Sequence, residues 1–288
     1  MIAQDFDYIV PNSLSEAVNL LQKHGSNAKI LAGGHSLIPM MKLRLAMPEC
    51  LIDIGQIPEL AYIRQESGTI HIGALTTHHD VESSEVLQRQ CMTLAEAAAT
   101  IGDVQVRNKG TIGGSLAHGD PAADYPASIV ALDATIVAFG PKGERKIPAA
   151  DFFVDMLTTA LEPNELVREI QIPVRSGRRG TAYLKMEQKA SGFALCGVSA
   201  VVELNASGTI DKIAIGITGV GSRAFRAAET EKMLQGATPS VEVLKRACEH
   251  ASKDVIALED IHASAEYRLD LARIFARRAV ERAIERAR

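Results

Sequence analysis

Two glycine pairs limit the folding of this chain more than any other feature. One sits in Leu31-Ala32-Gly33-Gly34-His35-Ser36-Leu37, the other in Gly110-Thr111-Ile112-Gly113-Gly114-Ser115. Each falls at a turn and places a hydroxyl directly after the pair or one residue later. Glycine lacks a Cβ, so its backbone can curl tightly and approach other atoms closely. Successive backbone N–H groups can then point into one concavity and hold an anion. Ser36, Thr111 and Ser115 would add hydroxyl donors, and two such loops facing each other suit a pyrophosphate. Neither loop is GxGxxG or GxxxxGK[ST], which disfavours a Rossmann nucleotide fold and a P-loop. A single glycine pair is more often no more than a turn. The residues alone therefore reach only an anion- or dinucleotide-binding α+β protein.

The chain has 288 residues, enough for one large or two modest domains with a sizeable core. A net charge of -4 offers nucleic acid no long-range attraction. Aromatics make up 4% with no Trp, which leaves few stacking platforms for bases. The four cysteines, Cys50, Cys91, Cys196 and Cys248, lie far apart without a CxxC, so no zinc or iron–sulfur site is expected in this chain. The start, MIAQDFDYIVPNS, lacks the basic region and apolar run of a signal peptide. No segment approaches the roughly 20 apolar residues of a membrane span, so a cytoplasmic protein is expected.

Ser13 is placed to cap a helix over 14–24 that Gly25 ends. A strand at 29–32, the first glycine turn, the stretch LIPMMKLRLA and a strand at 50–54 complete a small α/β unit. From Ala61 the pattern changes. AYIRQ and TIHIGAL flank a turn at Glu66–Gly68, and TIVAFGPKGERKIPA reads as a second hairpin turning at Gly140–Gly143. TLAEAAATIG and PASIVALDA read as helices, and ELVREIQIPV as a strand. RSGRRG at 175–180 is the linker candidate. Three further strands follow it: TAYLKMEQ, ALCGVSAVVEL and TIDKIAIGITGV. The remainder reads as three helices: AFRAAETEKMLQG, SVEVLKRACEHAS and the final arginine-rich run. Tyr267, Leu271, Ile274, Phe275 and Ala279 form the apolar stripe of the last helix, and its arginines form a solvated face.

AGGHSLIPMMKLRLA at 32–46 and RNKGTIGGSLAHGDPAADYPA at 107–127 resemble the two FAD-binding signatures of the molybdenum hydroxylase flavoproteins. That family includes the flavin domain of xanthine dehydrogenase and the medium subunit of aerobic carbon monoxide dehydrogenase, and the chain is most like the latter. The FDY opening, the IDI strand near 52–54, the QVRN approach and a YxKxxxK stretch at 183–189 follow in family order, so the likeness spans essentially the whole chain.

The resemblance implies an α+β fold. A two-lobed FAD-binding domain of the vanillyl-alcohol-oxidase type would occupy 1–177, with lobes of about 1–55 and 56–177. A C-terminal flavoprotein domain of antiparallel sheet and helices would occupy 178–288. Ala32, Gly33, Gly34, His35, Ser36 and Leu37, with Thr111, Ile112, Gly113, Gly114 and Ser115, would hold FAD noncovalently by its pyrophosphate. Asp124 would accept from ribose or ribityl hydroxyls, Lys185 would approach the pyrimidine edge, and Phe193 would lie beside the isoalloxazine. A surface charge or a core aromatic is the competing role for these three. His35 reads as orienting and His118 as structural.

No catalytic residue and no metal ligand is expected on this chain. A large subunit would hold molybdopterin and a small subunit two [2Fe–2S] clusters, in a dimer of heterotrimers at most peripheral to the inner membrane face. The flavin subunit would pass electrons from the clusters to an external acceptor. The approach IGDVQVRN departs from the DPQ-type string of the carbon monoxide enzymes. A related hydroxylase of an aldehyde, purine or N-heterocycle therefore stays open beside carbon monoxide. A stand-alone flavoprotein oxidase is the reading from another class.

Overall fold

The computed structural model describes residues 2–288. Its first sheet is parallel. Strands β1 (Asp7–Ile9), β2 (Ala28–Leu31) and β3 (Cys50–Asp53) pair in the order β1-β3-β2. The helix Leu14–His24 crosses between β1 and β2 and buries Leu14, Ala17, Val18 and Leu21. The Ser13 side chain accepts from the Glu16 N–H, a cap that contributes about 1 kcal/mol. Gly25 at φ +57 ends the helix, a left-handed position that favours glycine.

The second sheet is antiparallel, in the order β4 (Ile63–Glu66), β5 (Thr69–Gly73), β10 (Leu166–Pro173), β6 (Thr135–Gly140), β7 (Gly143–Pro148). Both expected hairpins form. Glu66 pairs Thr69 across a two-residue turn in which Ser67 and Gly68 have φ of 48 and 77, the twist such turns require. Gly140 pairs Gly143. β10 inserts between the two hairpins. A short pair, β8 (Phe153–Asp155) and β9 (Thr158–Thr159), lies outside this sheet.

The third sheet runs β11 (Arg178–Glu187), β12 (Ala194–Leu204), β13 (Ile210–Thr218) and β14 (Phe225–Arg226), all antiparallel. The segment expected as one helix from Ala224 therefore begins as a strand, and its helix spans only Ala228–Leu234. The Arg226 guanidinium explains the break. It pairs with Asp133 and Glu231 at 2.9 and 2.6 Å, which holds the chain against the sheet.

The final helix, Ala265–Ala287, also differs from expectation. Tyr267 and Ile274 are exposed, while Ala272, Ala276, Ala279, Val280 and Ala283 are fully buried. Small residues face the sheet because helix and strand approach so closely that a Cβ at Gly180 would fall 1.9 Å from the Ala283 carbonyl oxygen. Arg268 is buried rather than solvated. It donates to the carbonyls of Leu195 and Gly219 and pairs with Asp260 at 2.7 Å. No helix among the described residues is long and apolar enough to cross a membrane.

Three hydrophobic clusters follow these layers, and the central one crosses the linker. It joins Leu94, Ile112, Tyr125 and Ile170 to Tyr183, Val201 and Ala214 of the third sheet. The helix Tyr125–Ala131 supplies the contact, so close that a Cβ at Gly216 would fall 2.0 Å from the Ala127 carbonyl oxygen. The second and third sheets are thus fixed relative to each other around residues 119–131. Replacing Gly180 with Ala should cost about 1–3 kcal/mol by pushing the final helix off β11, measured as a lowered urea midpoint at unchanged slope.

Candidate functional site

The first glycine loop leaves β2 at Leu31 and enters a short helix, Leu37–Lys42. Gly34 has φ +79, and its carbonyl accepts the Ile38 N–H at 2.9 Å. The backbone N–H groups of 33–37 donate to no other group among the described residues. The Ser36 hydroxyl makes no capping bond, and both His35 and Ser36 are exposed. Ala32 to Leu37 therefore form an open rim of unpaired donors, which is what a bound oxyanion needs.

The second loop is built differently. Thr111 caps the helix Ile112–His118, its side chain accepting from the Gly114 N–H at 3.1 Å. The Ile112 and Gly113 N–H groups donate to the carbonyls of Thr76 and Ala74 at 3.0 and 2.9 Å, and Ser115 N–H donates to Thr111 O. The expected row of free N–H groups is thus absent from 112–115. A Cβ at Gly113 would fall 2.5 Å from the Ala74 Cβ, so this glycine serves close packing. The Thr111 and Ser115 hydroxyls remain as the donors this loop can offer.

Folding brings the two loops into contact. A Cβ at Gly33 would fall 2.3 Å from the Lys109 carbonyl oxygen and 2.7 Å from the Gly110 Cα. The place of a Gly114 Cβ lies 3.8 Å from the Ala32 Cβ. Gly33 therefore presses backbone on backbone against the approach to the second pair. The contact brings the unpaired N–H groups of 33–37 close to the second loop, whose Thr111 and Ser115 hydroxyls are further donors, and such a donor set fits a phosphate-bearing cofactor.

The other expected contacts form a second group. Asp124 and Lys185 are both buried and face each other, Lys185 Nζ lying 2.9 Å from Asp124 Oδ1. Tyr183 donates its hydroxyl to Asp124 Oδ1 at 2.5 Å, and Lys185 also donates to the Thr100 carbonyl at 3.0 Å. Burial pushes the Asp124 carboxyl up to about 6, against the opposing pull of Lys185 and of the hydrogen bonds from Tyr183, Lys185 and Thr100. Phe193 stands at the tip between β11 and β12, 47% exposed, as a ring free to meet a ligand rather than a core residue. The loop 120–124 is clamped beside it: Ala194 N–H donates to Ala122 O, and the Thr218 hydroxyl lies 2.8 Å from the carbonyls of Pro121 and Ala123. His118 is half-buried at the end of the second loop's helix.

Several residues were not singled out from the sequence. Ala74 to His78 form the strap on which the second loop hangs, and His78 reaches Tyr125. The Thr77-x-x-Asp80 capping box was the available signal for a helix start, but the contact of this strap with the glycine segment is made across the intervening helices and left no local mark. Thr100 carried no signal and Tyr183 only its place in the YxKxxxK stretch, because their roles depend on contacts between residues far apart in the chain.

Residues 4–175 match the model of the FAD binding domain in molybdopterin dehydrogenase, and residues 181–283 match the CO dehydrogenase flavoprotein C-terminal domain. The chain belongs to the FAD-binding flavoprotein family of the molybdopterin dehydrogenases. It is an oxidoreductase subunit of the medium-chain type. It is 44% identical to the carbon monoxide dehydrogenase medium chain of Hydrogenophaga pseudoflava, covering 98% of each chain. It is 38% identical to the 6-hydroxypseudooxynicotine dehydrogenase complex subunit alpha of Paenarthrobacter nicotinovorans, covering 98% of this chain and 96% of that one. The fold superposes on the carbon monoxide dehydrogenase structure from Hydrogenophaga pseudoflava with a TM-score of 0.96 at 44% identity, covering 99% of each chain. On quinoline 2-oxidoreductase from Pseudomonas putida 86 the TM-score is 0.93 at 30% identity, covering 100% of this chain and 99% of that one.

The Asp124–Lys185 pair permits a direct test of the electrostatics. Replacing Lys185 with Met strands a buried carboxylate and should cost about 3–5 kcal/mol at neutral pH. The folded Asp124 already titrates above its unfolded value, and losing Lys185 raises it further. Stability of the variant should therefore fall as pH rises through that higher value. The deficit relative to the parent should be larger at pH 8 than at pH 5 in thermal or urea denaturation.

Proposed function

We propose that this chain is the FAD-binding subunit of a heterotrimeric molybdenum hydroxylase, of the carbon monoxide dehydrogenase type. The open rim of donors at 33–37, pressed against the Lys109–Thr111 approach, is the observation that carries the reading. Ala32 to Leu37 and Thr111 to Ser115 would hold the FAD pyrophosphate. In this reading the first loop supplies main-chain N–H groups, and the second supplies the Thr111 and Ser115 hydroxyls on a rigid base. Bound FAD would supply the redox chemistry.

Asp124 and Lys185 would face the flavin as a neutralised pair, with Asp124 hydrogen-bonding ribityl or ribose hydroxyls and Lys185 near the pyrimidine edge. The exposed ring of Phe193 would cover one side of the isoalloxazine. The division into domains would fall at 177/178, a reading supported by family-model matches at 4–175 and 181–283. Electrons would arrive from [2Fe–2S] clusters on a small subunit and leave to an external acceptor. A large subunit would hold molybdopterin, and two heterotrimers would pair in the cytoplasm.

A second reading, an organic-substrate hydroxylase, draws support from the likeness to the 6-hydroxypseudooxynicotine dehydrogenase subunit at 38% identity. The substrate would bind another subunit in either case. Assays of the assembled complex with carbon monoxide and with N-heterocycles separate the two readings.

The purified chain should show a flavin absorbance spectrum and release FAD on denaturation. Replacing Gly33 with Val drives a side chain into the Lys109 carbonyl and should lower FAD occupancy at least about tenfold, the scale of a lost charge-assisted hydrogen bond or more. Normal occupancy in that variant would remove the loop assignment. Bleaching of the flavin by an organic substrate, without partner subunits, would favour an independent oxidase instead.

A further inference from the structure

His78 is a buried imidazole, 5% exposed, at the start of the helix His78–Ser83. Three contacts set its place. Its backbone N–H donates to the Gly110 carbonyl at 2.9 Å. Its Nδ1 lies 3.0 Å from the Tyr125 hydroxyl. Its Nε2 fills the space of a Gly110 side chain, since a Cβ there would fall 2.4 Å away. Tyr125 is fully buried, and this ring is the partner of its hydroxyl among the described residues. With the hydroxyl donating to Nδ1 its proton finds an acceptor, and the proton of the neutral ring is then the one on Nε2.

The charged and titratable groups around the ring are His35 of the first loop, Arg107 with its partner Glu82 at 2.9 Å, and Asp124 beside Tyr125. Burial first, then His35 and Arg107, push the imidazole down to about 4, so the ring stays neutral and fixed near physiological pH.

We propose that His78 is a positioning residue for the dinucleotide site: its ring sets Gly110 where Gly33 meets it, and its bond to Tyr125 ties the second glycine loop to the segment carrying Asp124. The proposal rests on the flavin reading above. It explains why residue 110 has no side chain, and it links the phosphate end of the site to the Asp124–Lys185 end through one rigid ring. Because His78 acts through the loop, removing it should weaken every ligand that the loop grips by its phosphates, and by a common factor.

The test is titration of the full-length apo chain with FAD, with ADP as a competing pyrophosphate, alongside the Tm of each apo variant. His78→Ala should raise the Kd for FAD and for ADP together by about tenfold or more, the scale of a disrupted charge-assisted contact. Imidazole in the buffer should restore most of that loss by refilling the space against Gly110. Tyr125→Phe should lose affinity in the same direction by a smaller factor. Should His78→Ala fail to fold, His78→Asn serves in its place: it can still meet Tyr125 yet leaves Gly110 unsupported, so it too must lose FAD and ADP alike. FAD and ADP affinities within about twofold of the parent in the His78 variants, a difference too small for a lost contact, would overturn the proposal. So would a loss in His78→Ala that imidazole does not lessen. A parent chain that takes up neither FAD nor ADP would overturn the flavin reading itself, and this inference with it.

Discussion

The close approach of two backbones at Gly33 and the Lys109–Gly110 segment is the constraint on which the site depends. Side chains normally keep loops apart by the width of at least one methyl group. Here a Cβ would overlap a carbonyl oxygen at 2.3 Å, so the parallel-sheet lobe and the antiparallel-sheet lobe can meet at this point only through glycine. The N–H groups of 33–37 stay unspent on secondary structure. The second loop contributes the opposite quality. Its N–H groups are committed to Ala74, Thr76 and Thr111, so it forms a fixed wall against which the first loop is set. One loop presents donors and the other holds shape.

Behind that wall the structure alternates tight packing with isolated polar anchors. Gly113 on Ala74, Gly216 on Ala127 and Gly180 on Ala283 are backbone-to-backbone contacts of the same kind, each joining elements distant in sequence. The polar anchors sit between them. His78 meets Tyr125, and Asp124 meets Lys185, Tyr183 and Thr100, all within or beside the central hydrophobic cluster. A buried ion pair of this kind adds little net stability compared with apolar packing, because desolvation offsets most of its attraction. Its value is positional: it fixes the loop 120–124 and the strand carrying Lys185 relative to each other.

Much of the local structure was legible in the chain. Ser13 and Gly25 marked the first helix, and the Glu66–Gly68 and Gly140–Gly143 turns marked two hairpins, because capping and left-handed turns are chemical demands met within a few residues. The glycine pairs were legible as special for the same reason. Other elements were not. The strand Leu166–Pro173 was visible as a strand, but its place between the two hairpins was not, since pairing order leaves no local mark. The final helix was read with Tyr267 and Ile274 inward, because apolarity was counted and closeness of approach was not; alanines face the sheet where the helix lies against Gly180.

By itself the sequence determined the inventory: two backbone loops able to approach a phosphate, hairpins and capped helices, and paired motifs specific enough to name a family. These depend on φ preferences, capping hydroxyls and missing Cβ atoms, which act within a few residues of chain. Only the tertiary structure decided which of those groups are free. It assigned the N–H groups of 112–115 to the protein and left those of 33–37 open. It turned Asp124 and Lys185 from two candidate contacts into one pair, and placed His78 under Gly110. The physical reason is that a donor's availability and a charge's partner depend on what lies across space, and packing sets that distance between residues the chain keeps far apart.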